Sequence, residues 1–225
     1  MPGRLCALLL GLAGLLLAQP EEIKRIREAA MVLDDVMGIK ERAIPQELLD
    51  RAECVVIVPG LKKGAFLVGG KYGKGLITCR PDNGEGWSGP STVRIEGGSF
   101  GLQLGGTSID LVMLLMNRRG VEKLLASRFT LGGDATVAAG PVGRSAEAQT
   151  DAQMHAEILS WSRSRGLFAG ISLAGATLRQ DENDNQRIYG KPVTPRQILL
   201  EGEKPSASAV RLLETLSKYS SRRKP

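Results

Sequence analysis

The chain has 225 residues, 42% of them hydrophobic, which suits one domain with a sizeable core. Aromatic residues make up only 4%, which argues against a surface that stacks nucleic-acid bases. The formal net charge is +6, and a single histidine with no C-x-x-C or H-E-x-x-H motif cannot build a usual zinc site.

The N-terminus, M-P-G-R-L-C-A-L-L-L-G-L-A-G-L-L-L-A-Q-P, sets Arg4 before an apolar run at residues 5–17 that is short for a bilayer span. With the small Ala18 behind it, this reads as a secretory signal peptide over residues 1–18. Leu16 fits the cleavage pattern poorly, so an uncleaved anchor is the alternative. Cleavage would remove one charge, Arg4, leaving +5 and two cysteines, Cys54 and Cys79. Two readings stand for that pair: a disulfide in an oxidising compartment, or two small buried thiols in apolar strands. The expected location is beyond the inner membrane, periplasmic or on an envelope membrane.

Residues 21–43 read as a helix, because Ile23, Ile26, Ala30, Leu33 and Met37 make one apolar stripe. Pro45 suits the first turn of a second, short helix ending near Ala52. From Cys54 the period changes. C-V-V-I-V-P reads as a buried strand ending at Pro59, and glycine-rich strands follow at residues 65–72, 75–80, 92–96, 100–104 and 109–116. A short helix is predicted over 120–127, then strands at 130–139, 155–162 and 168–178. Thr194 caps a helix that starts at Pro195, and residues 207–219 carry a leucine stripe. G-x-F recurs at Gly64, Gly98 and Gly166, a hint of a duplicated β unit. The pattern predicts an α+β domain: a strongly curved, mainly antiparallel, glycine-rich sheet, bent toward a barrel, with helices at the N- and C-terminal ends.

Four motifs resemble catalytic or ligand sites. Gly64 to Tyr72 resembles a phosphate loop, but Ala65 and Tyr72 stand where a glycine and a hydroxyl are needed. G-E-G-W-S-G lacks the strand before and helix after that a dinucleotide fingerprint requires. G-G-S-F-G offers Ser99 as a hydrolase nucleophile with His155 downstream, yet G-L-Q-L-G-G after it reads as strand rather than helix. D-E-N-D-N, from Asp181, alternates oxygens as a calcium loop does, but Gln186 and Pro192 replace the glycine and glutamate such a loop needs; it reads as a polar turn. No catalytic residue, metal ligand or cofactor is assigned.

Basic residues cluster beside the glycine-rich segments. Lys62, Lys63, Lys71 and Lys74 lie together without an acid among them, Arg118 and Arg119 form a second group, and Arg163 and Arg165 a third. They make either a solvated basic face or a surface for an anionic partner, to which each charge near a negative membrane adds roughly 1 kcal/mol.

The chain is similar to the SYLF family of lipid-binding domains. The likeness covers residues 21–217 and is carried by A-E-C-V-V-I-V-P-G-L-K-K-G-A-F-L-V-G-G-K-Y-G-K-G, G-W-S-G-P, G-G-S-F-G-L-Q-L-G-G, F-T-L-G-G-D-A-T-V-A-A-G-P-V-G-R, S-W-S-R-S-R-G-L-F-A-G-I-S-L-A-G and Y-G-K-P-V-T-P-R-Q-I-L. The resemblance implies binding of phospholipid without chemistry, with phosphoinositides preferred and actin bound by some eukaryotic members. It makes Lys62, Lys63, Lys71 and Lys74 the matching lipid contacts. A signal peptide and the lack of an added partner-binding domain make actin an unexpected partner here. The partner expected is therefore an anionic phospholipid or membrane surface, with a protein partner as the alternative and nucleic acid excluded. The organisation expected is a signal peptide at 1–18, the lipid-binding domain at 19–217 and a basic flexible tail at 218–225.

Overall fold

The apolar stripe of the N-terminal segment forms α1 (Glu21–Met37), burying Ile26, Ala29, Ala30, Leu33 and Val36 along one side. Pro45 precedes α2 (Gln46–Arg51). The computed structural model describes residues 20–39, 43–66, 68–81, 86–100, 105–125, 129–141, 155–164, 167–168 and 173–220. Residues 1–18, expected to be a signal peptide, Arg165 and residues 221–225 fall outside these.

Among the described residues nine strands form one sheet: β1 (Cys54–Phe66), β2 (Val68–Cys79), β3 (Ser91–Phe100), β4 (Gly105–Leu115), β5 (Phe129–Thr130), β6 (Val137–Ala139), β7 (Ile158–Ser164), β8 (Leu167–Phe168) and β9 (Thr177–Gln180). Their order is β5-β9-β3-β2-β1-β4-β7-β6, with β8 beside β7, and every pairing but β6–β7 is antiparallel. The sheet curls strongly into a half-barrel, with helices from both ends of the chain against it, as the sequence predicts.

Both faces of the central strands are covered, which explains the unbroken apolar run C-V-V-I-V. On the inner, concave face Cys54, Val56, Val58 and Leu61 join a cluster with Phe129, Leu131, Leu178 and Ile198. On the outer face Val55, Ile57 and Leu76 meet Ile26, Leu33, Leu49, Leu212 and Leu216 from the helices.

The strand predicted to end at Pro59 continues to Phe66. A bulge absorbs the proline: the register slips between Ile57 and Lys62 against β2, and between Val58 and Leu61 against β4. Gly60 takes φ +61°, and its N–H donates to Asp110 Oδ1 at 3.0 Å. The glycine stretch read as one strand over 65–72 is instead the turning end of a hairpin, with Phe66 in register with Val68. At the other end of that hairpin Cys54 and Cys79 are direct register partners and form a disulfide, which settles the two readings left open above.

The acidic segment predicted as a polar turn begins a helix, α4 (Glu182–Tyr189), capped by the Asp181 side chain and closed by Gly190 at φ +70°. α3 (Arg118–Leu124) follows β4, and α5 (Pro195–Leu199) starts with the predicted Thr194 cap, completed into a capping box by Gln197. α6 (Val210–Tyr219) packs on α1 and runs into the stretch read as a tail. Tyr219 and Lys218 both donate to Asp34, and Ser220 is buried. There the Arg80 guanidinium, stacked 3.8 Å from the centre of the Trp87 ring, donates to the Ser220 carbonyl, as does the Trp87 indole.

Candidate functional site

β2 pairs with β1, and with β3 from Val68 to Ile77, while β4 pairs with β1. Among the described residues β9 pairs with β3 at Val93–Glu96, and β7 with β4 at Asp110–Leu115. Beyond those pairings the four strands in the order β3-β2-β1-β4 form a tip. Across it Gly98, Gly70, Gly64 and Gly106 are consecutive register partners. All four are exposed; among the described residues a Cβ would meet nothing within 4 Å at Gly64, Gly98 or Gly106, and the Gly97 carbonyl, at 4.0 Å, at Gly70. The row is a band of bare backbone one strand wide per residue. Two positions outward Phe66 pairs with Val68 and Val68 with Phe100, so two of the three G-x-F repeats end at the same level of the sheet.

The register row on the other side of the glycines is Ser108–Lys62–Tyr72–Glu96, on the outer face. Lys62 is exposed and Tyr72 is 47% exposed. Between these rows, on the inner face, Lys63 and Lys71 stand directly opposite one another. Lys63 is half-buried and Lys71 is 7% exposed. Burial, and then the neighbouring Lys63 charge, lower the Lys71 ammonium below the ordinary lysine value. Like charges placed directly opposite in a sheet oppose its formation.

The remaining predicted contacts are placed differently. Lys74 lies three residues beyond Lys71 on β2 and donates to Asp184 and Asp181, each at 2.9 Å. Burial acts against its charge, but the hydrogen bonds it donates to the two carboxylates, with their negative charge, outweigh this and raise its pKa. Asp184 is 1% exposed and takes Arg25 and Arg187 as well, so the acids read as a calcium loop are held by cations. Asn185 likewise accepts from the Thr92 backbone N–H and donates to Ser91. Arg163 is bound to Asp35 at 2.6 Å and Asp110 at 3.3 Å. Arg118 and the exposed Arg119 begin α3, beyond the Leu115 end of β4. β4 is 11 residues long, so they stand about 35 Å from the tip at ~3.3 Å per residue. The tip collects Lys62, Lys63 and Lys71, while Arg118 and Arg119 lie at the other end of β4.

Ser99 sits inside β3 in register with Gly69, so the sharp strand-to-helix turn that exposes a hydrolase nucleophile is not formed there. Among the described residues no group of three or more His, Cys, Asp or Glu is placed to hold a metal ion. A groove that sequence reasoning missed lies on the outer face where α1 passes the β1 bulge, with a volume of about 510 Å³ and Lys62 in its lining. Its walls come from separate segments spread between Glu28 and Arg163, and no local motif marks it.

Residues 96–219 match the family model Ysc84, described as "Las17-binding protein actin regulator". SH3 domain-containing YSC84-like protein 1 of Bos taurus is 34% identical over 207 residues, 89% of this chain and 60% of that protein. The chain belongs to the Ysc84 (SYLF) family. Other relatives include an SH3 domain-containing protein of Schizosaccharomyces pombe, 39% identical over 166 residues, 72% of this chain and 38% of that one. LAS seventeen-binding protein 3 of Saccharomyces cerevisiae is 36% identical over 162 residues, 71% of this chain and 35% of its own. The chain thus spans between about a third and three-fifths of the length of these relatives. Their names, and that of the Ysc84 model, describe binding and regulatory proteins rather than enzymes.

Proposed function

We propose that this Ysc84-family domain binds anionic phospholipid at a membrane surface, without chemistry, through the tip of β1–β4. The observation that carries the reading is the bare glycine row Gly98–Gly70–Gly64–Gly106 with Lys62 beside it on one face and the opposed Lys63 and Lys71 on the other. A sheet without side chains can approach the headgroup layer closely, and lysines on both faces supply phosphate contacts at that depth. Lys74 and Arg163 hold internal carboxylates instead, and Arg118 and Arg119 make a separate, distant basic group.

The reading extends to location: export directed by residues 1–18 and residence at an envelope membrane. The Cys54–Cys79 disulfide supports it, because disulfides persist in oxidising compartments. A second reading, a protein partner in envelope assembly, draws on the family description, which names a protein-binding regulator.

The test is co-sedimentation of the chain with neutral and anionic liposomes across a salt series. Binding to anionic vesicles alone, weakened by salt and reduced at least about tenfold by Lys62→Glu with Lys63→Glu, is expected, since each surface charge is worth roughly 1 kcal/mol. Arg118→Glu with Arg119→Glu should leave it within about twofold if the distant group takes no part. Indifference to anionic vesicles at low salt would favour the protein partner.

A further inference from the structure

The groove beside α1 is lined by side chains of both signs of charge. The Arg163 guanidinium bridges Asp35 and Asp110, while Asp110 also accepts the N–H of Gly60 at the bulge. One cation for two carboxylates leaves negative charge in excess, and the Asp35 side chain is 55% exposed. Glu28 also lines the groove, and it pairs with Lys24 at 3.9 Å with both side chains exposed, a weak pairing. Lys62 is a further lining residue, and among the described residues it has no carboxylate within ion-pair distance. The apolar part of the lining is Met31, 50% exposed, with Val32 and Pro59. A simple anion would face three carboxylates. A metal ion would have to displace Arg163 from between two of them.

We propose that this groove binds an ammonium–phosphate zwitterion, the 2-aminoethyl phosphate chemistry of an ethanolamine headgroup. The phosphate meets Lys62, the primary ammonium donates to Glu28 and Asp35, and the two methylenes lie over Met31 and Pro59. A primary ammonium carries three N–H donors for those carboxylates, whereas a trimethylammonium carries none, so the groove selects ethanolamine over choline. The volume of about 510 Å³ falls in the range of small-ligand sites. Lys62 belongs both to the groove and to the glycine-row tip, so a bilayer reached by the tip brings headgroups to the groove. For that membrane source, though not for the ligand chemistry, the inference rests on the lipid reading above.

The test titrates the full chain with phosphoethanolamine, phosphocholine or inorganic phosphate, following the Gly60 amide and Met31 methyl resonances. Saturable shifts with phosphoethanolamine alone are expected, weakened about five- to tenfold by Glu28→Gln or by Lys62→Gln, the usual effect of one lost charge-assisted contact. Glu28→Gln leaves the Arg163 pairs intact, so its fold is preserved. No saturable shift, or an equal response to phosphocholine, overturns the proposal. A second arm replaces phosphatidylcholine by phosphatidylethanolamine in vesicles of fixed anionic content. A gain in the parent chain that is absent in Glu28→Gln identifies the membrane headgroup as the source. Soluble binding without that gain identifies a free aminoalkyl phosphate. Loss of all vesicle binding with the soluble shifts retained would remove the lipid reading and leave this one standing.

Discussion

The two ends of the β1–β2 hairpin have the same composition and opposite physics. Near the base, a Cβ on Gly73 would lie 2.8 Å from Leu61 Cδ1, and one on Gly75 would lie 2.9 Å from Val58 Cα and closer still to the Ile57 carbonyl. These glycines let β2 cross the bulged β1 at short range. At the tip, a Cβ on Gly64, Gly98 or Gly106 would meet nothing within 4 Å among the described residues. The lysines divide in the same way: Lys74 is tied to Asp181 and Asp184, and Lys62 is free of carboxylates among the described residues. A glycine or lysine kept for packing and one kept for contact are the same letter, and only the neighbours distinguish them.

Substitutions can break this contrast. The largest effect is expected at Gly75, where alanine forces backbone apart and should cost about 3 kcal/mol or more in urea unfolding. Gly98→Ala at the tip should change stability by less than about 1 kcal/mol, and in the stabilising direction, because the unfolded chain loses freedom. Comparable losses at both sites would refute the division.

Next is Lys74→Met, expected to cost about 1–3 kcal/mol because Asp181 loses its partner while Asp184 keeps Arg25 and Arg187. Lys62→Met should stay within about 0.5 kcal/mol. The pair also has a pH signature. Burial pushes the Asp181 carboxyl up, but the hydrogen bonds from Lys74 and from the Asp184 N–H, with the nearby Arg94, hold it below its ordinary 3.8. A carboxylate lowered in the folded state contributes fully above about pH 4, and its contribution is lost as pH falls through the folded value. The parent chain should therefore lose stability progressively below about pH 4, and Lys74→Met should flatten that part of the curve.

The smallest effect sharpens the inner face. Lys71 is lowered by burial and by Lys63, so its charged form opposes folding, and stability should rise as pH climbs from its folded value toward 10.5. Lys71→Met is expected to be neutral or stabilising by less than about 1 kcal/mol in thermal melts at neutral pH, and to remove the alkaline rise.

Much of this architecture is legible in the sequence because local rules are strong. The stripe of α1 and the Thr194–Pro195 start of α5 follow from spacing and caps alone. The acidic helix α4 carried its own signals, Asp181 as cap and Gly190 as stop, but its polar composition hid them behind a calcium-like spacing. Pro59 misleads because a proline ends a strand unless a bulge takes it up, and the bulge depends on Gly60 and on Asp110 some 50 residues away. The disulfide and the glycine row depend on register: Cys54 meets Cys79, and Gly64 meets Gly70 and Gly106, only once three strands are aligned. The candidate lysines were identifiable as a group, but their sorting into paired, opposed and exposed required Asp181 and Asp184 to arrive on β2 from a helix more than 100 residues away.

The burial of Ser220 between Arg80 and Trp87 bears on biosynthesis. The outer core needs α6 beside α1, and the clamp on the hairpin needs a residue at the far end of α6. While the ribosome is still adding α6, the earlier strands lack one wall, and the polypeptide stays open along that side. Closure of the outer core is thereby coupled, through Ser220, to the emergence of the whole of α6 from the ribosome.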